Sequence, residues 1–343
     1  MNKTLIAVEL DKEHATPYMY TKLAPAKPTV VFDSYWKFAA ERQQIFFKRF
    51  NNDSAPWTSD PILRKHKFTN VYRATDRVSQ YLIRNVIYNP HLSSDNKEVF
   101  FRIILFKLFN KIETWEALQA AFGDISYANY KIEAYDKFLL KLLHAGKAIY
   151  SAAYIMPSGK SFFGHEKKHT NHLFLIKKMM QERLPQKLEE AANMQRTFEL
   201  LKSYPSIGDF LAYQYAIDIN YSNITNFSES QFVIPGPGAK SGISKCFSDL
   251  GGLTEIEIIK LMMDRQETEF KRLGLDFKTL GNRPLQLIDC QNIFCETDKY
   301  ARIKHPEIKG SSERLRIKQN FVTLGKKVDI FLPPKWNIDN PFK

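Results

Sequence analysis

"QFVIPGPGAKSGISKCF", residues 231–247, sets an apolar run against a Pro-Gly turn and then a small-residue, basic segment. Glycine permits tight backbone turns, and the free N–H groups that open a following helix make a ready anion site. Two nucleotide motifs fail here on spacing. A phosphate-binding P-loop needs Gly directly before Lys-Ser and another Gly five residues earlier; Ala239 and Ile234 stand at those positions. The dinucleotide fingerprint fails too, because its third glycine falls on Ser241. What fits is a helix-hairpin-helix turn: apolar, Pro, Gly, apolar, Gly, then a helix. Pro235, Gly236 and Gly238 would shape the turn, with Lys240, Ser241 and Lys245 flanking a phosphate. Such a turn holds the DNA backbone without reading base sequence. The competing reading is a plain Pro-Gly connection between two packed helices. A weaker version occurs in "YPSIGDFLAY" (204–213), where Ser206 replaces the first glycine.

The bulk charge points the same way. Fifty Lys and Arg against 37 Asp and Glu give 343 residues a net charge of +13. An excess of this size favours a polyanionic partner, nucleic acid before an anionic membrane. The three cysteines, Cys246, Cys290 and Cys295, have no CxxC spacing and suit neither a disulfide framework nor a cysteine zinc site. With an N-terminal apolar run of only Leu5 to Val8 and no membrane-length segment, the expectation is a cytoplasmic monomer.

Most of the chain reads helical, so the expected class is all-α. Residues 97–118 and 135–156 are apolar nearly all round, which suits helices buried in a bundle. Residues 171–184, 186–204 and 206–222 follow as further helices, while 157–170 and 221–231 read as loops. From Ala301 onward, ten Lys or Arg outnumber four Asp or Glu, and "SSERLRIKQNF" reads as a short helix with a basic face. The expected division is an N-terminal extension (1–30), a helical domain (31–302) and a basic C-terminal extension (303–343).

Three further segments carry candidate chemistry. "HEKKH" (165–169) matches the zinc-protease string, with His172 as a third imidazole and Glu166 as base. It follows a loop, and Lys167 and Lys168 would repel a dication, so no metal is assigned. "LQLIDCQNIFCETDKYAR" (285–302) delivers Asp289 at the end of an apolar run, with Glu296 further along. A carboxylate there is either a helix cap or a buried acid able to stabilise a developing cation. Residues 55–84 place Trp57 and Tyr72 among Asn70, Arg73, Asp76 and Arg77. Asn70, Arg73 and Arg77 recur at helical spacing. Aromatic, amide and guanidinium groups together suit an extruded base; a buried ion-pair network is the alternative.

"DPILRKHKFTNVYRATDRVSQYLIR", "IPGPGAKSGISKCF" and "DCQNIFCETDKYAR" resemble the α-glutamyl/putrescinyl-thymine pyrophosphorylases of phage thymine hypermodification. These are related to the helical domain of hydroxymethyluracil DNA kinases, and the resemblance runs from about Tyr35 to Arg302. The family is similar to helix-hairpin-helix DNA glycosylases. That implies a helical bundle of two lobes with a cleft, double-stranded DNA with modified pyrimidines as substrate, and base flipping. In such glycosylases a lysine follows the hairpin and an apolar-Asp pair comes later; Lys240 and Ile288-Asp289 match, although 49 residues separate Lys240 from Asp289. Taking "YPSIGDFLA" as the hairpin instead leaves no acid at the expected place.

The leading expectation is excision of a hypermodified pyrimidine, leaving an abasic site, in anti-phage defence. Asp289 would stabilise the oxocarbenium ion or activate water, and Lys240 would attack C1′. The base pocket would comprise Trp57, Asn70, Tyr72, Arg73, Asp76, Arg77 and Glu296. The alternative is a transferase that substitutes an amino acid or polyamine onto pyrophosphorylated hydroxymethyluracil in DNA. A second alternative is a non-catalytic DNA-binding module. None of the three requires a cofactor.

Overall fold

The computed structural model describes residues 25–153, 156–312, 314–323 and 328–338. The expected extension 1–30 therefore lies almost wholly outside the described residues. The described chain is mostly helical, with one two-stranded antiparallel sheet pairing β1 (Lys27–Pro28) with β2 (Phe247–Asp249).

Two groups of helices pack side by side. The first joins the two ends of the chain: α1 (Val30–Phe50) lies against α12 (Pro237–Cys246), α13 (Glu255–Arg272) and α14 (Leu287–Lys304), with α2 (Pro61–Lys65) against α14. The second surrounds α4 (Asn96–Phe109), which packs on α5 (Ile112–Phe122), α8 (Lys168–Gln181), α9 (Leu184–Glu189) and α11 (Asp209–Asn220). Around them stand α6 (Ile132–His144), α7 (Lys160–Phe163) and α10 (Met194–Lys202). A 3₁₀ turn at Arg73–Thr75, α3 (Arg77–Tyr81) and a π-helical continuation over Leu82–Ile87 connect the groups. α4 is buried along nearly its whole length, which is why its sequence shows no polar face.

Several expected helices are shorter than their apolar patterns. The 97–118 run breaks at Asn110, whose left-handed φ of 48° ends α4. The 135–156 run stops at His144, two residues before Gly146 turns with φ 71°. Residues 186–204 split into α9 and α10 because Asn193 caps a new helix by accepting from the Arg196 N–H. The 157–170 loop contains the single turn α7. Residues 314–319 are not helical; Asn320 instead pairs with His66 as an isolated β-bridge.

The opening motif is also built differently from its expected hairpin. Residues 221–235 form a long connection after α11, so no helix runs directly into the Pro-Gly turn. The short helix-turn-helix lies upstream, between α10 and α11. There Ser206 adopts φ 67°, the left-handed geometry that a glycine would take most easily. The glycines of α12 serve close packing instead. A Cβ at Gly242 would fall 2.1 Å from the Phe294 carbonyl oxygen of α14, and one at Gly238 would fall 3.1 Å from Cys295 Sγ. Ala239 and Ser241 are fully buried on the same helix.

This contact gives a prediction with a diagnostic sign. Ala in place of Gly usually stabilises a helix interior by about 0.5–1 kcal/mol. Here Gly242→Ala should instead cost at least about 1–3 kcal/mol through overpacking, measured by urea denaturation.

Candidate active site at the buried polar seam

Where the two helical groups meet, the interior is polar. Asp218, fully buried on α11, accepts from Arg73 Nη1 at 2.9 Å and lies 3.2 Å from Lys107 Nζ of α4. Arg73 also donates from Nε to Gln214 Oε1 (3.0 Å) and from Nη1 to the Tyr221 hydroxyl (3.1 Å). Its backbone N–H donates to Asp289 Oδ1 at 2.8 Å. Thus one residue of the 3₁₀ turn ties α11 to α14. Burial pulls the Lys107 ammonium down, with Asp218 opposing the shift.

Asp289 is the third residue of α14 and forms a reciprocal capping box with Gln286, whose N–H donates to its Oδ2 at 3.0 Å. Both carboxylate oxygens thus receive backbone donors. Burial nevertheless pushes this carboxyl up to about 7, with nearby Glu229 adding to the rise.

Glu229, Arg283 and Tyr213 complete the seam, and sequence reasoning missed all three. Glu229 is buried, with Oε2 held 3.1 Å from Arg283 Nη2, while its Oε1 has no hydrogen-bond partner. The buried Tyr213 hydroxyl and Arg283 Nε are likewise unpartnered. Burial, then Glu229, push the Tyr213 phenol well above its usual range. Buried polar groups in folded proteins are normally satisfied, so a concentration of free ones marks a place a ligand or water completes. The far side is closed by the C-terminal extension. Trp336 lies over the Arg283 guanidinium at 3.9 Å and meets Tyr221 edge-on. Lys335 Nζ donates to the Ser222 and Thr225 carbonyls, and burial lowers it to about 8.

The expected base-pocket residues separate into four places. Arg73 and Tyr72 belong to the seam, the Tyr72 hydroxyl donating to the Arg283 carbonyl at 2.7 Å. Asn70 accepts from Arg42 (2.6 Å), and its N–H donates to Asp76, whose carboxyl burial raises to about 7. Glu296 accepts from the Thr69 N–H at 3.0 Å and pairs with Lys299. Trp57 stands apart, at the wall of a separate cavity. Arg77 is exposed at the surface, 4.0 Å from Glu113, so the expected Asn70–Arg73–Arg77 face does not form.

The expected phosphate-binding groups also diverge. Ser241 donates to Asp298 Oδ1 (2.7 Å) and Lys245 pairs with the same carboxylate at 3.0 Å, both buried between α12 and α14. These two side chains face the interior rather than a phosphate at the surface. Pro235 is half-buried; Gly236 is the N-cap of α12, and the Phe210 ring fills the space a Cβ there would take. Lys240 is exposed on α12, whereas Asp289 is buried under Arg73, so the supposed nucleophile and acid are not joined. The histidine string fares no better. His165 precedes α8, His169 lies 3.2 Å from Asp136, and His172 bonds Tyr150 and the Pro157 carbonyl. Among the described residues, no metal-ligating cluster occurs, and no helix is long and apolar enough to cross a membrane.

The raised Asp289 carboxyl predicts a pH dependence. Its folded value of about 7 lies above the ordinary 3.8. Protonated Asp289 therefore favours the folded state, an advantage complete below the ordinary value and lost as pH rises through about 7. The stability of the wild type relative to Asp289→Asn should fall between about pH 4 and pH 7 and level off above, read from urea midpoints.

The chain was compared with known proteins. A curated relative, the 5-hmdU DNA kinase of Bacillus phage SP10, is 27% identical over 293 residues. The match takes in 80% of this chain but 46% of the relative, so the chain spans less than half of that protein's length. No solved structure matches. The kinase relative overturns the expectation of base excision: its named activity is phosphoryl transfer to a modified base in DNA, not cleavage of a glycosidic bond. The family of the 5-hmdU DNA kinase helical domain matches residues 29–310, and this chain belongs to it.

Proposed function

We propose that this chain is a base-modifying transferase acting on the 5-substituent of hydroxymethyluracil in DNA. Membership of a family named for 5-hmdU DNA and a net charge of +13 support DNA as the substrate. One structural observation carries the reaction type. Glu229 keeps a buried oxygen without a partner, beside two cations, Arg283 and Lys335. A free carboxylate next to cations suits the removal of a proton while an anionic group departs.

On a pyrophosphorylated hydroxymethyluracil, the nitrogen of an amino acid or polyamine attacks the 5-methylene carbon. The C–N bond forms as the C–O bond breaks, and pyrophosphate leaves with the electron pair. The proton of the attacking amine passes to Glu229. Arg283 and Lys335 hold the departing pyrophosphate, and Asp289 positions Arg73 through its backbone N–H. The two helical groups act as lobes, and the base enters the seam between them when Trp336 moves off Arg283. The α10–α11 turn supplies a backbone grip on the duplex.

A second reading is a DNA-binding part that presents the base to a separate catalytic domain. It is favoured by the match to under half of the kinase relative. One experiment separates the two. Duplex DNA carrying pyrophosphorylated hydroxymethyluracil is incubated with the protein and glutamate or putrescine, then digested to nucleosides for mass spectrometry. The transferase reading expects an amine-substituted thymidine that falls at least about 100-fold in Glu229→Gln, a typical general-base contribution. DNA binding with no adduct would reject it in favour of the presenting role.

A further inference from the structure

Trp57 opens onto a cavity of about 250 Å³, away from the seam and enclosed by α1, the 55–68 segment and Phe321 of the C-terminal extension. Its chemistry is one-sided. Arg42, Arg49 and Arg64 line it together with His66, and no carboxylate does. Among the described residues, none of the three guanidiniums lies within ion-pair distance of an acid.

Two of its polar groups are deeply buried and incomplete. Arg42 is 7% exposed; Nε and Nη2 bond the Thr69 carbonyl and Asn70, but Nη1 has no partner. His66 is 9% exposed, and its Nδ1 is also unpartnered. Burial lowers Arg42 to about 10, which leaves it charged at neutral pH. The Asp76 and Glu296 carboxylates act on Arg42 but do not line the cavity, so on the cavity wall its unpartnered Nη1 remains a buried donor that an anionic ligand would satisfy.

The remaining walls are aromatic. Trp57 and Phe321 meet edge-on with centroids 6.2 Å apart, and Arg49 lies over both rings at 5.3 and 5.7 Å. Phe321 is held there because its N–H donates to the Lys65 carbonyl while the Lys67 N–H donates to Gln319. The cavity is therefore shared between the family domain, which ends at residue 310, and the segment beyond it. Aromatic faces with a guanidinium are the usual platform for a nucleobase.

We propose that this cavity binds one nucleoside monophosphate unit, its base against Trp57 and Phe321 and its phosphate on Arg42 Nη1 and His66. The volume lies just below the range of roughly 300–1,000 Å³ typical of drug-sized ligands, which limits the occupant to a single unit. That unit is either a free mononucleotide or one nucleotide of a DNA strand. The assignment does not depend on the reaction given to Glu229.

The test is calorimetric titration of the full chain with thymidine 5′-monophosphate, thymidine, inorganic phosphate and a short oligothymidylate. The monophosphate should bind at least about tenfold more tightly than thymidine or phosphate alone, as a charge-assisted contact requires. Trp57→Ala and Arg49→Gln, both at the partly exposed wall, should each weaken it at least about fivefold without lowering the melting temperature. Arg42→Gln should abolish the preference over thymidine. Competition by the oligonucleotide identifies a strand as the source, and its failure to compete identifies the free nucleotide. The proposal is overturned if neither monophosphate nor oligonucleotide binds, if thymidine binds equally well, or if both wall variants leave binding unchanged.

Discussion

Asp218 sits in the last turn of α11, without contact to water, and holds two cations from different parts of the chain. Removing Asp218 would leave two buried cations facing each other, whereas removing either cation leaves the other paired with the carboxylate. Arg73 extends the arrangement, since its side chain reaches α11 and its backbone N–H reaches α14 through Asp289. The two helical groups are therefore joined through charge and directional hydrogen bonds as well as apolar contact. Directional joints of this kind fix an orientation more tightly than apolar packing alone.

That constraint also leaves buried polar atoms without partners. Apolar packing fills space, whereas a polar seam must satisfy every donor and acceptor. At Glu229, Tyr213 and Arg283 it does not. The C-terminal extension contributes twice, sealing the seam with Trp336 and walling the separate cavity with Phe321. The basic tail thus packs onto the helices at these two places, while Arg314, Arg316 and Lys318 stay exposed to solvent.

The helical class was legible because α4 and α11 are apolar over several turns, and nothing but a buried helix accommodates that pattern. The helix ends were less so: Asn110 and Asn193 stop or start helices through local conformation and capping, not through hydrophobicity. "GAKSG" misled for a physical reason. Small residues beside lysine look alike whether they admit a phosphate or another helix, and only the presence of Phe294 and Asp298 decides for the helix. Asp289, read as either a helix cap or a buried acid, lies buried at the third position of α14, where it shares a capping box with the N-cap Gln286. Asp218 carried a usable signal, a lone acid inside "LAYQYAIDINY". Glu229 carried none, because the burial of a loop residue depends on what folds over it.

The most direct measurement is a double-mutant cycle between Arg73 and Asp218, read by urea denaturation. If the buried charge group is what joins the two halves, Arg73→Met and Asp218→Asn should each cost about 3–5 kcal/mol. The double variant should then lose at least about 2 kcal/mol less than their sum, because Asp218→Asn already strands the Arg73 guanidinium that Arg73→Met removes. Additive losses would contradict the account, showing that the halves are held by apolar packing and that the seam is incidental to it.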